Sequence, residues 1–172
     1  MEDKEFIVVA FAVIDTNVVI SSMLGNKRSA TKEIFHFIKN GNIIPLYDRR
    51  ILGEYKEVLE RFFTEDISSE KISEIVEHGY LVTDIKETRE YFADKTDIPF
   101  FEVKESSKEL DAYLITGNTK HYPENSTRTA AFVIDVMQYL NRFVLKDKEK
   151  YLQDIKERIE HLDSEKYVKA GR

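Results

Sequence analysis

Apolar positions along the chain switch between two periods. Residues 6–14 (FIVVAFAVI) form one continuous run rich in β-branched side chains, the pattern of a strand covered on both faces. Residues 29–40 then place Ile34, Phe35, Phe37 and Ile38 at helical spacing, with Gly41 as the expected stop. A short second strand is expected over 43–47, where Pro45 argues against a fully bonded central position. Residues 49–63 predict a helix with Ile51, Tyr55, Val58, Leu59 and Phe62 on one face. Another helix is expected from Ser68, as its cap, to His78, ended by Gly79. Residues 80–83 read as a strand, whereas 84–96 are too polar to assign. A short helix is expected to start near Asp97 and a buried strand to cover 112–116 (AYLIT). The pattern closes with a last strand over 131–134 and a helix from Asp135 to about Leu145.

Strands alternating with helices imply an α/β fold, a central, mainly parallel sheet with helices on both faces. Sites in such sheets form beyond the carboxyl ends of the strands, where the strand order reverses. Residues 1–145 are expected to make up this domain and 146–172 a helical extension. In the extension Leu152, Ile155, Ile159 and Leu162 form one narrow apolar stripe. That stripe either packs on its own domain or meets a second subunit or a partner protein.

Composition narrows the chemistry. A chain of 172 residues is long enough for one core. With no cysteine there is no disulfide framework, thiolate metal site or thiol nucleophile. No apolar run approaches the roughly 20 residues that span a bilayer. The acidic opening MEDKEF lacks the basic start of a cleavable signal, so a cytoplasmic protein without membrane association is the expectation. The net charge of −6 weighs against a protein that coats nucleic acid, although not against an enzyme that holds it locally. His36, His78, His121 and His161 have no metal-ligand spacing and read as surface or packing residues.

Four positions could combine into a site. Asp15 follows the most apolar strand and Asn118 follows AYLIT, while Asp97 and Glu54 fall in early turns of helices. Taken singly, each reads as a helix cap or a solvated residue. Together, three carboxylates and one amide oxygen would repel one another unless a cation lay between them. A hard divalent ion such as Mg²⁺ or Mn²⁺ prefers these ligands and can activate water against a phosphodiester.

The stretches VIDTNVVISSML, IIPLYDRRILGEYKEVL, DIPFFEV and AYLITGNTKHYP, in this order, resemble the PIN-domain family. The likeness is closest to bacterial toxin components of toxin–antitoxin systems, of the VapC type, and covers roughly residues 7–145. It implies a three-layer α/β/α fold and a Mg²⁺- or Mn²⁺-dependent ribonuclease that cuts RNA and is restrained by a cognate antitoxin protein. The family's acids fall on Asp15, Glu54 and Asp97, with Asn17 and Thr116 in support and Glu102 as a further candidate ligand. Asp94 could replace Asp97 if its helix began earlier. The fourth position, often Asp in the family, is Asn118, which removes one negative charge and implies weaker cation binding. A homodimer is consistent with the resemblance and with the stripe in the extension.

For RNA contact the candidates are Lys27, Arg28, Arg49, Arg50 and Lys120 with His121, set against an ordinary solvated surface. Two other readings stay open. One is a PIN-like module that binds RNA or protein without cutting, for which Asn118 and the negative charge speak. The other is phosphotransfer through Asp15, disfavoured because the second Asp of haloacid-dehalogenase-type enzymes is Asn17 here.

Overall fold

The computed structural model describes residues 5–25 and 29–171. Its five strands are β1 (Ala10–Ile14), β2 (Ile43–Tyr47), β3 (Tyr80–Val82), β4 (Tyr113–Ile115) and β5 (Tyr167–Lys169), ordered β4-β1-β2-β3-β5. The first four run parallel, and β5 pairs antiparallel with β3. Every residue of β1 is buried, which is why its sequence is apolar without alternation. Among the described residues seven helices flank the sheet: α1 (Thr16–Met23), α2 (Ala30–Lys39), α3 (Arg49–Phe62), α4 (Glu65–His78), α5 (Ile98–Glu105), α6 (Ala130–Val144) and α7 (Lys148–Glu160). Both α2 and α4 pack on β2, and α5 packs on β1, β2 and β4. Among the described residues no helix is long and apolar enough to cross a membrane.

From β1 the chain steps one way to β2 and β3, then returns to place β4 on the other side. The crevice past the carboxyl ends of β1 and β4 is therefore the switch point of the sheet. Asp15 and Thr116, the residues that follow these two strands, meet there.

Several expectations are corrected. Residues 131–134 are helical, the first turn of α6, which Thr129 caps through the Phe132 N–H. Its apolar run reads like a strand because one helical turn there is buried at Ala130, Val133 and Ile134. Helix α1 was not expected at all, since it is short and follows the strand with only Asp15 between. Thr64, not Ser68, caps α4, and Ser68 is buried within it. Strand β2 sits between two neighbours despite Pro45. The proline is tolerated because β3 joins only from Leu46 onward, opposite Tyr80.

The extension read as helical supplies α7 and also the edge strand β5. Of its stripe, Ile155 and Leu162 are buried whereas Leu152 and Ile159 are exposed. Tyr151 Oη accepts the Val9 N–H at 2.7 Å, which ties α7 to the chain entering β1.

Gly79 links α4 to β3 where the backbone of β2 comes closest. A Cβ there would lie 2.2 Å from the Pro45 carbonyl oxygen. Backbone cannot step aside as a side-chain tip can, so Gly79→Ala should cost about 3 kcal/mol. For a chain of this size that lowers Tm by about 6–12 °C in a thermal melt. An unchanged Tm would mean that β2 and β3 separate freely.

Candidate active site

Asp15 is held by all its neighbours at the switch point. Its Oδ1 accepts the Thr16 N–H at 2.7 Å, so it caps α1 while ending β1. Its Oδ2 accepts the Thr116 hydroxyl at 2.7 Å, the Tyr122 hydroxyl at 3.0 Å and the Asn17 amide at 3.2 Å. Asn17 also donates to Thr116 Oγ1 and accepts the Gly117 N–H at 3.0 Å. Thr116 Oγ1 accepts the Asn118 N–H at 2.9 Å. The DTN and TGN segments thus lock the ends of β1 and β4 together.

Asp97 ends a single 3₁₀ turn that runs directly into α5. Its Oδ1 lies 3.5 Å from the Tyr122 hydroxyl, which is therefore placed between the two carboxylates. Asp97 Oδ2 is buried without a hydrogen-bond partner. His121 Nδ1 stands 3.5 Å from that oxygen, near enough for charge attraction once the ring is protonated, but not in hydrogen-bonding geometry. A cavity of about 470 Å³ opens beside Asp97, walled by Tyr91, Asp94, Lys120, His121 and Tyr122.

The carboxylates disturb one another. Burial, then the charges of Asp15 and Asp94, push the Asp97 carboxyl up to about 6. Asp15 is raised as well, because burial outweighs the four hydrogen bonds that favour its ionised form. Glu54, half-buried on α3, is raised by burial, then by Glu57, Asp94 and Asp15. The Tyr122 phenol is driven far above its ordinary value by burial and the two carboxylates, so it keeps its proton as a donor.

Asp15, Asp97, Asn17 and Thr116 are thus brought together, and Glu54 lies within range of their field. The Asn118 side chain is exposed and, among the described residues, makes no hydrogen bond to Asp15 or Asp97. It lines a separate cleft with Asn17, Ser21 and Thr31. Glu102, a candidate ligand, is placed elsewhere: its Oε1 meets Arg50 Nη1 at 2.7 Å and its Oε2 accepts the Thr88 N–H at 2.7 Å. Arg50 is further bound to Asp48 at 2.8 Å, so this RNA-contact candidate is spent within the fold. Arg49 is exposed on the first turn of α3, and Lys120 is exposed on the cavity wall. Lys27 and Arg28 lie outside the described residues. Tyr122 was missed by sequence reasoning, since nothing in a lone loop tyrosine marks it. His121, read mainly as a surface residue, borders the site.

A profile described as PIN domain matches residues 11–120, more than half of the chain. The chain belongs to the PIN-domain family. No curated protein and no solved structure matches it. PIN domains are usually nucleases and generally use divalent metal ions. The residues present fit such an ion in part. All donors are oxygens, one buried carboxylate oxygen lacks a partner, and a cation between Asp15 and Asp97 would relieve their repulsion. Mg²⁺ is commonly held by one or two carboxylates and water, which suits this pair. Among the described residues, however, no three His, Asp or Glu side chains are grouped closely enough to hold an ion.

The raised Asp97 carboxyl has a consequence for stability. Unfolded, an aspartate titrates near ~3.9, so between about 4 and 6 the folded protein binds more protons than the unfolded chain. Without metal, Asp97 therefore makes stability fall as pH rises through that window. Asp97→Asn should flatten this part of the Tm–pH curve measured in chelator and raise Tm at pH above ~7. Superimposable curves for the two proteins would show that Asp97 is not strained.

Proposed function

We propose that this PIN-domain protein is a Mg²⁺- or Mn²⁺-dependent ribonuclease. The observation that carries this reading is the pair of neighbouring carboxylates at the switch point of the sheet, buried Asp15 and half-buried Asp97, joined through the Tyr122 hydroxyl. Their oxygens would hold the ion, with Glu54 adding negative charge from α3. When bound, such an ion activates water and offsets charge on the phosphodiester.

The chain's own groups supply the rest. Asn17 and Thr116 fix the direction of Asp15. Lys120 and His121, on the cavity wall, would hold a phosphate. Tyr91, 87% exposed on the cavity rim, offers a ring on which an unpaired base can stack, a feature that suits single-stranded RNA.

The likeness of four motifs to the VapC type extends the proposal to the toxin of a type II toxin–antitoxin pair. Its partner would be a cognate antitoxin, or a second copy of the chain. Exposed Phe132, Tyr139, Leu140 and Phe143 on the outer face of α6 provide apolar area for either. A second reading, a module that binds RNA without cutting it, is favoured by the exposed neutral Asn118 and the lack of a third grouped acid among the described residues.

Purified protein with Mn²⁺ on single-stranded RNA separates the two. Cutting should be abolished by chelator and fall about a hundredfold or more in Asp15→Asn and Asp97→Asn. RNA retention without cutting, unaffected by either substitution, would instead select the binding module. Tyr91→Ala should raise KM about tenfold, with kcat little changed, since one stacked base is worth ~1–3 kcal/mol. An unaltered KM would remove Tyr91 from the substrate path.

A further inference from the structure

We propose that the Tyr122 hydroxyl stands in the cation's place in the metal-free protein and is the latch that a divalent ion must displace to reach Asp15 Oδ2. The proposal rests on the metal-dependent reading above. Tyr122 lies just beyond the residues matched by the family profile.

Three observations converge on it. First, the hydroxyl lies between the two carboxylates, 3.0 Å from Asp15 Oδ2 and 3.5 Å from Asp97 Oδ1. A single O–H shared there offsets part of the repulsion that a cation would otherwise offset. Second, Asp15 Oδ2 has no spare capacity. It accepts three donors, so an ion can bind that oxygen only where a donor withdraws. Third, the donors differ in how firmly they are held. Thr116 and Asn17 are tied to each other and to the backbone N–H groups of Asn118 and Gly117. The Tyr122 hydroxyl has the two carboxylates as its hydrogen-bond partners. Of the three donors on Oδ2, it is the one that can leave without undoing the junction of β1 and β4.

The ring itself is firmly seated. It is buried and meets Phe92 edge-on at 5.9 Å, and Phe92 packs on Phe101 at 5.4 Å. Displacement therefore means a small shift of the 119–122 turn that carries the hydroxyl oxygen off Asp15, rather than expulsion of the side chain. Tyr122 is in this sense a positioning residue: it holds the pair in register while the ion is absent and raises the cost of ion entry.

Calorimetric titration of Mn²⁺ into metal-free wild type, Tyr122→Phe and Thr116→Val tests this. Tyr122→Phe keeps the ring on Phe92 and removes only the donor. It should bind Mn²⁺ about tenfold more tightly, the equivalent of one hydrogen bond to a charged group. Its metal-free Tm should fall below that of wild type, while its Tm gain on adding Mn²⁺ should be larger. Thr116→Val, which removes a donor from the same oxygen but loosens Asp15 itself, should bind no more tightly than wild type. If Tyr122→Phe does not fold, Tyr122→Leu carries the same expectation. Equal or weaker binding by the Tyr122 variant, with wild type binding Mn²⁺, would overturn the latch and leave the metal reading intact. Tightening in Thr116→Val as large as in Tyr122→Phe would also overturn it. Absence of Mn²⁺ binding in every protein would remove the metal reading and the latch together.

Discussion

Two carboxylates held within reach of one hydroxyl are the constraint on which this structure turns. Burial raises both Asp15 and Asp97, and the charge of Asp15 adds to the difficulty Asp97 has in ionising. A fold selected for stability alone would replace one of them with an apolar or amide side chain. Instead, four donors from three segments converge on Asp15, and a tyrosine is buried so that its hydroxyl reaches both acids. Such an arrangement makes physical sense where a cation is meant to complete it.

The scaffold that holds the pair draws on several elements of the fold. Asp15 is fixed from β1, the most deeply buried strand, and from the hydrogen bond of its own N–H to the Ile115 carbonyl on β4. Asp97 is carried by the start of α5, and α5 is anchored by Glu102. That buried carboxylate binds Arg50 on α3 and the backbone of Thr88, so it ties the polar 83–97 segment and two helices into one unit. Breaking a buried, hydrogen-bonded ion pair leaves an uncompensated charge, which is why such pairs make firm anchors even when their net contribution is small. Tyr55 reinforces the same region from α3 by donating its hydroxyl to the Ile14 carbonyl, one residue before Asp15.

Much of this was legible in the residues themselves. A strand apolar at every position had to be central, and an acid directly after it had to lie at the sheet's carboxyl edge, so the place of Asp15 was readable from pattern, while its part in a site came only from its combination with the other acids and from the family resemblance. The DIPFFEV stretch pointed to Asp97 by its place before a helix. What failed did so for identifiable reasons. Residues 131–134 carry the same short apolar run whether as a strand or as one buried helical turn, and period cannot separate the two at that length. Glu102 shares a motif with Asp97 but lies five residues on, where the helix faces Arg50. Pro45 counted against a central strand, yet its neighbour strand starts one residue later. Tyr122 carries no sequence signal, because its role depends on Phe92 and on two acids distant along the chain.

The coupling between the two acids can be measured directly. Carbon-detected NMR titration of the Asp97 carboxyl in the metal-free protein should give a midpoint of about 6. In Asp15→Asn the same carboxyl should titrate at a distinctly lower pH, because one of the charges that raises it has gone. An Asp97 midpoint in the ordinary carboxylate range, indifferent to Asp15, would contradict a shared site and with it the metal-binding role proposed for the pair.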